Sequence, residues 1–356
     1  MHISAARGAI LEELVLHLLA MVGYRVVQSD EEGTRSGHSG LEVKGRGAWH
    51  QIDALAAFDR TPAFMYPLRL MVEAKCYSTN SPVELGIVRN SVGVLKDIAE
   101  NYFTFRPSAD TEIPIPRFNY HSAIFSTSGY STAAQRYAIA HQVFLIQYSR
   151  IQVLEPVVKG LLALDATHLK SKTSLPNHQS ATALLREEVR HLLASDEGVL
   201  SSPFHILSPV GHRHIRDEIV RPLLEIEGSY FGMLQGQWPM HLLARKSLPP
   251  TAFADRDEIR CRLYGRDSDR WAFVPVNAQE GDRDWFRLEF DIPDEILEIV
   301  EAARDDKVAI ANVKKEKFST LDLAGKIGGV LRQVRLRVDE EWLKSYLDRI
   351  RTKQSA

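Results

Sequence analysis

Apolar residues return at helical spacing from Ala5 to Val22. Ile10, Leu14, Leu18 and Met21 form one line, with Leu11 and Val15 beside it, as on a helix that buries one face. Gly23 predicts its end, and Tyr24 to Gln28 reads as a short strand. Asp30 to Gly47 is rich in Gly, Ser and charge and predicts a mobile loop. Gln51 to Phe58 and Leu68 to Cys76 read as strands, the second more buried. Pro82 to Tyr102 carries Leu85, Val88, Val92, Leu95 and Ile98 on one helical face. Phe105 to Phe118, with three prolines, predicts a loop. A strand at Ser122 to Ser126, a helix at Ser131 to Ala140 and a strand at Val143 to Tyr148 follow. This order predicts an α/β domain over residues 1–160, a mixed central sheet flanked by helices.

Residues 161–182 read as a linker, because Asp165 to Thr182 is polar with His, Lys, Ser and Pro interleaved. Residues 183–356 then predict a second, strand-rich α+β domain. After a helix at Ala183 to Ala194, short alternating or aromatic runs such as SYFGMLQ, IRCRLYG and WFRLEF predict an antiparallel sheet or small barrel. Ile292 to Arg304 reads as a helix, Val308 to Val313 and Val334 to Val338 as strands, and Asp339 to Ile350 as a closing helix.

Charge changes the picture by what it excludes. Lys plus Arg total 44 and Asp plus Glu 46, so no general basic character announces nucleic acid, and any such site must be local or metal-assisted. Cys76 and Cys261 are too few for a disulfide framework or a four-thiolate zinc site. They fit a reducing, cytoplasmic setting. Glu12 and Glu13 interrupt the first apolar run, unlike a signal peptide, and no stretch suggests a membrane span.

The candidate chemistry lies on the strand Met71 to Cys76. Alternation puts Glu73 and Lys75 on one side and Val72, Ala74 and Cys76 on the other. A carboxylate and an ammonium among apolar neighbours are costly unless paired or used. Asp53 lies on the preceding strand and can face Glu73 if the two pair as a hairpin. Two carboxylates from adjacent strands make a hard-oxygen site for Mg²⁺, with Mn²⁺ able to substitute. Lys75 would orient or deprotonate a water, or neutralise charge on a phosphate. A Glu and Lys pair on a strand also fits a solvated sheet edge. By alternation Gln51 shares the side of Asp53 and is a further candidate, able to bond a metal water or a phosphate. His50 reads as packing or facing solvent.

The segments around these residues resemble the Mrr-like restriction endonucleases of the PD-(D/E)xK nuclease superfamily. Gly8, Leu11, Glu12 and the Gly23, Tyr24 pair resemble the family's opening helix. Gly37 with His50, Gln51, Ile52 and Asp53 resembles the first catalytic strand, and Val72 to Tyr77 the second. Ala123 to Ser131 with Ala133, Ala134, Tyr137 and Ala138 resembles its late strand and helix. Leu11 stands where Phe is usual and Ala74 where Cys is common, and the Phe105 to Phe118 loop is long for the family. The resemblance covers about 150 residues. It implies Asp53, Glu73 and Lys75 as catalytic residues, with Asp53 and Glu73 on the metal, and a helper role for Glu12, favoured over Glu13 by its spacing to Gly23.

The resulting expectation is a Mg²⁺-dependent endonuclease acting on DNA, in restriction or antiviral defence. Lys44 and Arg46 are candidate DNA backbone contacts, against ordinary surface charge. The alternative is an effector nuclease, inactive alone, whose C-terminal domain senses a ligand or docks a partner protein or a second copy. Weaker signals stand apart. His212 and His214 with His205 suggest a metal cluster less than a structural one. Lys314 to Lys317 and Arg332 to Arg337 are basic but interrupted by acid. Trp238, Trp271, Trp285 and Trp342 fit core anchors, or a platform on which a base stacks.

Overall fold

The computed structural model of the chain describes residues 1–37, 40–100, 104–108, 111–114, 117–171, 180–194, 205–265 and 270–354. The chain forms two compact units, Met1–Glu225 and Ile226–Ala356. The first opens with α1 (Ile3–Met21), β1 (Tyr24–Val26), β2 (Thr34–Ser36), β3 (Leu41–Lys44), β4 (Trp49–Gln51), β5 (Ala54–Phe58) and β6 (Leu68–Lys75). It continues through α2 (Leu85–Ala99), β7 (Thr104–Ser108), β8 (Thr111–Pro114), β9 (Asn119–Ser126), α3 (Thr132–His141) and β10 (Val143–Gln147). The helices α4 (Glu155–Ala163), α5 (Ala181–Ala194), α6 (Pro209–His214) and α7 (Arg221–Leu224) close it.

Its main sheet has the order β1-β5-β6-β9-β10. The β1, β5 and β6 pairings are antiparallel, and β6 with β9 and β9 with β10 are parallel, so the sheet is mixed. On one face Val88 and Val92 of α2 and Ala134 and Ala138 of α3 pack with Ile124 and Val143. Helix α1 packs against β1, β5 and β6 and against α4 and α5. Ile10, Leu11, Leu14, Val15, Leu18 and Leu19 are all buried, so the helix buries apolar residues on more than one face, as a core helix does. Gly23, with φ of 97°, ends it in a conformation that strains any side chain. Arg7 reaches the Leu162 and Leu164 carbonyls at 2.8 and 2.5 Å, at the C-terminus of α4 where carbonyls lack helical partners.

Three expected loops or linkers are structured. The Asp30 to Gly47 segment supplies β2 and β3 of a three-stranded sheet, β2-β3-β4; its residues 38 and 39 lie outside the described ones. Phe105 to Phe118 contains the hairpin β7-β8 in place of a loop, with 109, 110, 115 and 116 outside the described residues. The 161–182 linker begins inside α4, with Leu161 and Leu164 buried, then makes a short turn, Ala166–His168, capped by Asp165. Its residues 172–179 lie outside the described ones. Helix α5, expected beyond the linker, belongs to the first unit, and the division falls between Glu225 and Ile226. Leu184, Leu185, Val189 and Leu192 bury one side of α5, and that apolar face requires a partner, which α1 supplies.

Between α6 and α7 runs a π-helical stretch, Ile215–Val220. Pro222 has no N–H for the Glu218 carbonyl, and that carbonyl lies against Gly160 of α4. A Cβ at Gly160 would stand 2.6 Å from it. Gly160→Ala is therefore expected to destabilise the protein by about 1–3 kcal/mol, read as a lowered midpoint in thermal unfolding; an unchanged midpoint would show that the two helices yield freely there.

The second unit contains β11 (Gly228–Leu234), β12 (Trp238–Ala244), β13 (Glu258–Tyr264), β14 (Arg270–Pro275), β15 (Leu288–Asp291), α8 (Asp294–Ala303), α9 (Lys307–Lys317), β16 (Thr320–Ile327), β17 (Val330–Val338) and α10 (Glu340–Gln354). Its seven strands run β12-β11-β16-β17-β13-β14-β15, antiparallel except where β13 meets β17. The edge strands β12 and β15 approach each other, so the sheet curls nearly into a barrel around Tyr230, Phe253, Trp271, Phe273, Phe290 and Phe318. The strand expected at Val308 to Val313 is instead part of α9, started by the Asp306 side chain accepting from Val308 and Ala309. Ile310 and Val313 then lie three apart on its buried side, a spacing that a short apolar run leaves ambiguous with a strand.

Candidate active site

Asp53 sits at a bend between two sheets. Gln51 ends β4 in the small sheet and Ala54 begins β5 in the main one. The strand expected from Gln51 to Phe58 is thus broken at Ile52 and Asp53. Alternation therefore does not relate Gln51 to Asp53: Gln51 is exposed and pairs across from Glu42. The expected hairpin of β5 and β6 is present, with Ala54 opposite Val72, which brings Asp53 to the level of Glu73. The Ala74 N–H donates to Asp53 Oδ2 at 3.0 Å and Lys75 Nζ lies 3.4 Å from the same oxygen. Lys75 also contacts Glu73. Both carboxylates therefore touch one ammonium, which keeps them within the ~8 Å over which two carboxylates can share one ion.

The charges are only partly relieved. Burial pushes the Glu73 carboxyl up, and the charge of Asp53 adds to it, against the pull of Lys75. Burial works to lower Lys75, but Asp53 and Glu73 outweigh it and hold the ammonium above the usual lysine range. The end of β6 is fixed from β9: Thr127 N and Ser126 Oγ both donate to the Lys75 carbonyl, at 3.1 and 3.2 Å, and Thr127 Oγ1 donates to the Tyr77 carbonyl at 2.8 Å.

Glu12 is buried in α1, and its pKa is raised to about 8 by burial and then by the charge of Asp53, with Arg186 opposing. Asp53 is thus the carboxylate that acts on both Glu12 and Glu73. Arg186 of α5 contacts Glu12, and one turn on Arg190 grips Glu13 through two bonds of 2.7 and 2.8 Å. Sequence reasoning missed Arg186. Its signal was two arginines four apart on a helix, matching two adjacent glutamates in an apolar helix.

The remaining candidates lie elsewhere. Lys44 is half-buried in β3, and exposed Arg46 lies 4.0 Å from Glu100. His50 bonds Asp97 at 2.6 Å. His214 donates to the Gly160 carbonyl at 2.8 Å, and among the described residues no group of three or more His, Cys, Asp or Glu could hold a metal ion. What the centre offers is two carboxylates and a lysine. Such a donor set fits Mg²⁺, which keeps most of its waters and uses one or two carboxylates. The mutual repulsion of Asp53 and Glu73 is the electrostatic demand such a cation meets.

Among the described residues no helix is long and apolar enough to cross a membrane. No family model and no curated protein matches the chain. A solved crystal structure of a protein of unknown function is similar at 15% identity, covering 52% of this chain and 97% of that one, with a TM-score of 0.28.

Proposed function

We propose that the first unit is a metal-dependent nuclease of the PD-(D/E)xK type, Mrr-like in its motifs, that hydrolyses phosphodiester bonds in DNA, in a restriction or antiviral role in the cytoplasm. The observation that carries this reading is the meeting of Asp53, Glu73 and Lys75 at the ends of β5 and β6. Asp53 and Glu73 would hold Mg²⁺ or Mn²⁺, which when bound supplies Lewis-acid chemistry at the phosphate and a more acidic water. Lys75, an ammonium held between its carboxylates, would donate to the scissile phosphate and offset the charge developing there, or orient or deprotonate the attacking water. Arg186 holds Glu12 near enough for the charge of Asp53 to act on it, and Glu12 would serve as a helper that reaches toward the metal from α1. Lys44 and Arg46 are proposed backbone contacts; Gln51 has no geometric link to the centre.

Incubation of the purified chain with supercoiled plasmid tests this. Nicking is expected with Mg²⁺ or Mn²⁺ and none in EDTA. Cleavage that persists in EDTA, or none with either metal under any DNA substrate offered, would overturn the reading of a self-sufficient nuclease.

One observation favours the second reading, an effector whose C-terminal unit is a regulatory or docking module. The basic stretch of β17 is neutralised across the sheet: Arg335 pairs with Asp322 at 2.6 Å and Arg337 with Glu258 at 3.2 Å. A surface that reads DNA by itself keeps such cations for phosphates.

A further inference from the structure

The second unit contains a pocket of about 550 Å³ lined by Arg262, Tyr264, Lys314, Trp342 and Tyr346, among others. The volume lies within the range of small-molecule sites. Its chemistry is one-sided: the described lining residues bring two cations, three aromatic rings and no acid.

Lys314 is the unusual member. It is 4% exposed, although it opens the most basic run of α9. Asp306 starts that helix so that Lys314 falls on the same side as buried Ile310 and Val313. Its ammonium donates to the Leu263 carbonyl at 2.8 Å and lies 5.1 Å from the Trp271 ring, 5.8 Å from Trp342 and 5.7 Å from Tyr346. An ammonium has three N–H donors, and among the described residues one hydrogen bond and no carboxylate serve this one. Burial lowers its pKa to about 8, the mark of a cation without a counter-charge. Arg262 repeats the theme, with Nε buried and lacking a partner while a terminal nitrogen donates to the Val276 carbonyl at 3.3 Å. The rings pack on one another. Trp342 and Tyr346, one turn apart on α10, stack with centroids 5.9 Å apart and planes 22° apart, and Tyr264 stands 6.2 Å from Trp342.

We propose that this pocket binds a nucleotide unit, its phosphate on Lys314 and Arg262 and its base against Trp342, Tyr346 and Tyr264. Phosphate oxygens complete the donors that the protein leaves open, and a base stacks on aromatic faces whatever its identity. Free nucleotides and the end of a single DNA or RNA strand share this chemistry. The inference stands apart from the nuclease reading, because every residue it uses lies in the second unit.

The test is tryptophan fluorescence of the full chain in EDTA, so that no divalent metal recruits nucleotide to the first unit. AMP and CMP are titrated beside adenosine, inorganic phosphate and a short single-stranded DNA oligonucleotide. Saturable quenching is expected with both mononucleotides, weaker with adenosine or phosphate alone. Lys314→Met, which keeps the length of the buried chain, and Tyr346→Ala, on a half-buried position of α10, should each weaken binding by about tenfold or more. Tighter binding of the oligonucleotide than of AMP and CMP identifies a strand end as the natural occupant; the reverse identifies a free nucleotide. If neither mononucleotides nor the oligonucleotide bind, or if binding survives both substitutions, the proposal is wrong.

Discussion

Replacing Lys75 with Met is expected to lower Mg²⁺-dependent plasmid cleavage by roughly 10²–10³-fold or more, the cost of removing a preorganised donor from a developing oxyanion. The same assay should show a comparable or larger loss for Asp53→Asn and Glu73→Gln, because each removes a charge that would hold the proposed cation. The geometry supplies a second readout. Lys75 lies 3.4 Å from Asp53 Oδ2 and also touches Glu73, so in the Met variant two half-buried carboxylates face each other without a cation. Thermal stability in EDTA should therefore fall, and Mg²⁺ should restore much of it, since a ligand that binds only the folded state stabilises it. Near wild-type nicking by Lys75→Met or Asp53→Asn would remove these residues from the chemistry. Loss of stability without rescue by Mg²⁺ would reduce the cluster to a structural ion pair.

The second large effect is on stability against pH and belongs to Glu12. Its pKa is raised from 4.5 to about 8, by burial first and by Asp53 next. The folded chain therefore keeps a proton that the unfolded chain releases, so stability falls as pH rises from about 4.5 and levels off above about 8. The whole span amounts to about 3–5 kcal/mol. Glu12→Gln keeps the shape and an acceptor for Arg186 but cannot ionise. In EDTA, its melting midpoint minus that of the unsubstituted chain should grow steadily between pH 5 and pH 8. Parallel curves for the two proteins would show that Arg186 keeps Glu12 ionised throughout.

Much of the first unit was legible in the sequence because its signals are local. The apolar line from Ile10 to Met21, the stop at Gly23 and the buried strand Leu68 to Lys75 follow from periodicity and from backbone preference at one glycine. The late strand and helix were equally readable: Ser131 caps α3 by accepting from Ala134. The loops were misread where polar composition stood in for structure. Thr34 and Val43 sit in a small sheet although their neighbours are Gly and charged residues, because strands in a meander need only short stretches of pairing.

The sequence by itself put Glu73 and Lys75 on one side of a strand, by alternation, and made the preceding strand its antiparallel neighbour. Tertiary structure alone decided the rest. The bend at Ile52 and Asp53, where the chain leaves one sheet for another, aims Asp53 at the Ala74 N–H and separates it from Gln51. Arg186 reaches Glu12 across 174 residues of sequence, and Lys314 meets Trp342 and Tyr346 only when α9 and α10 pack. Pairing and alternation are properties of neighbouring residues, written in local spacing. The meeting of a buried charge with a distant partner is set by how whole elements pack, and no window along the chain contains both.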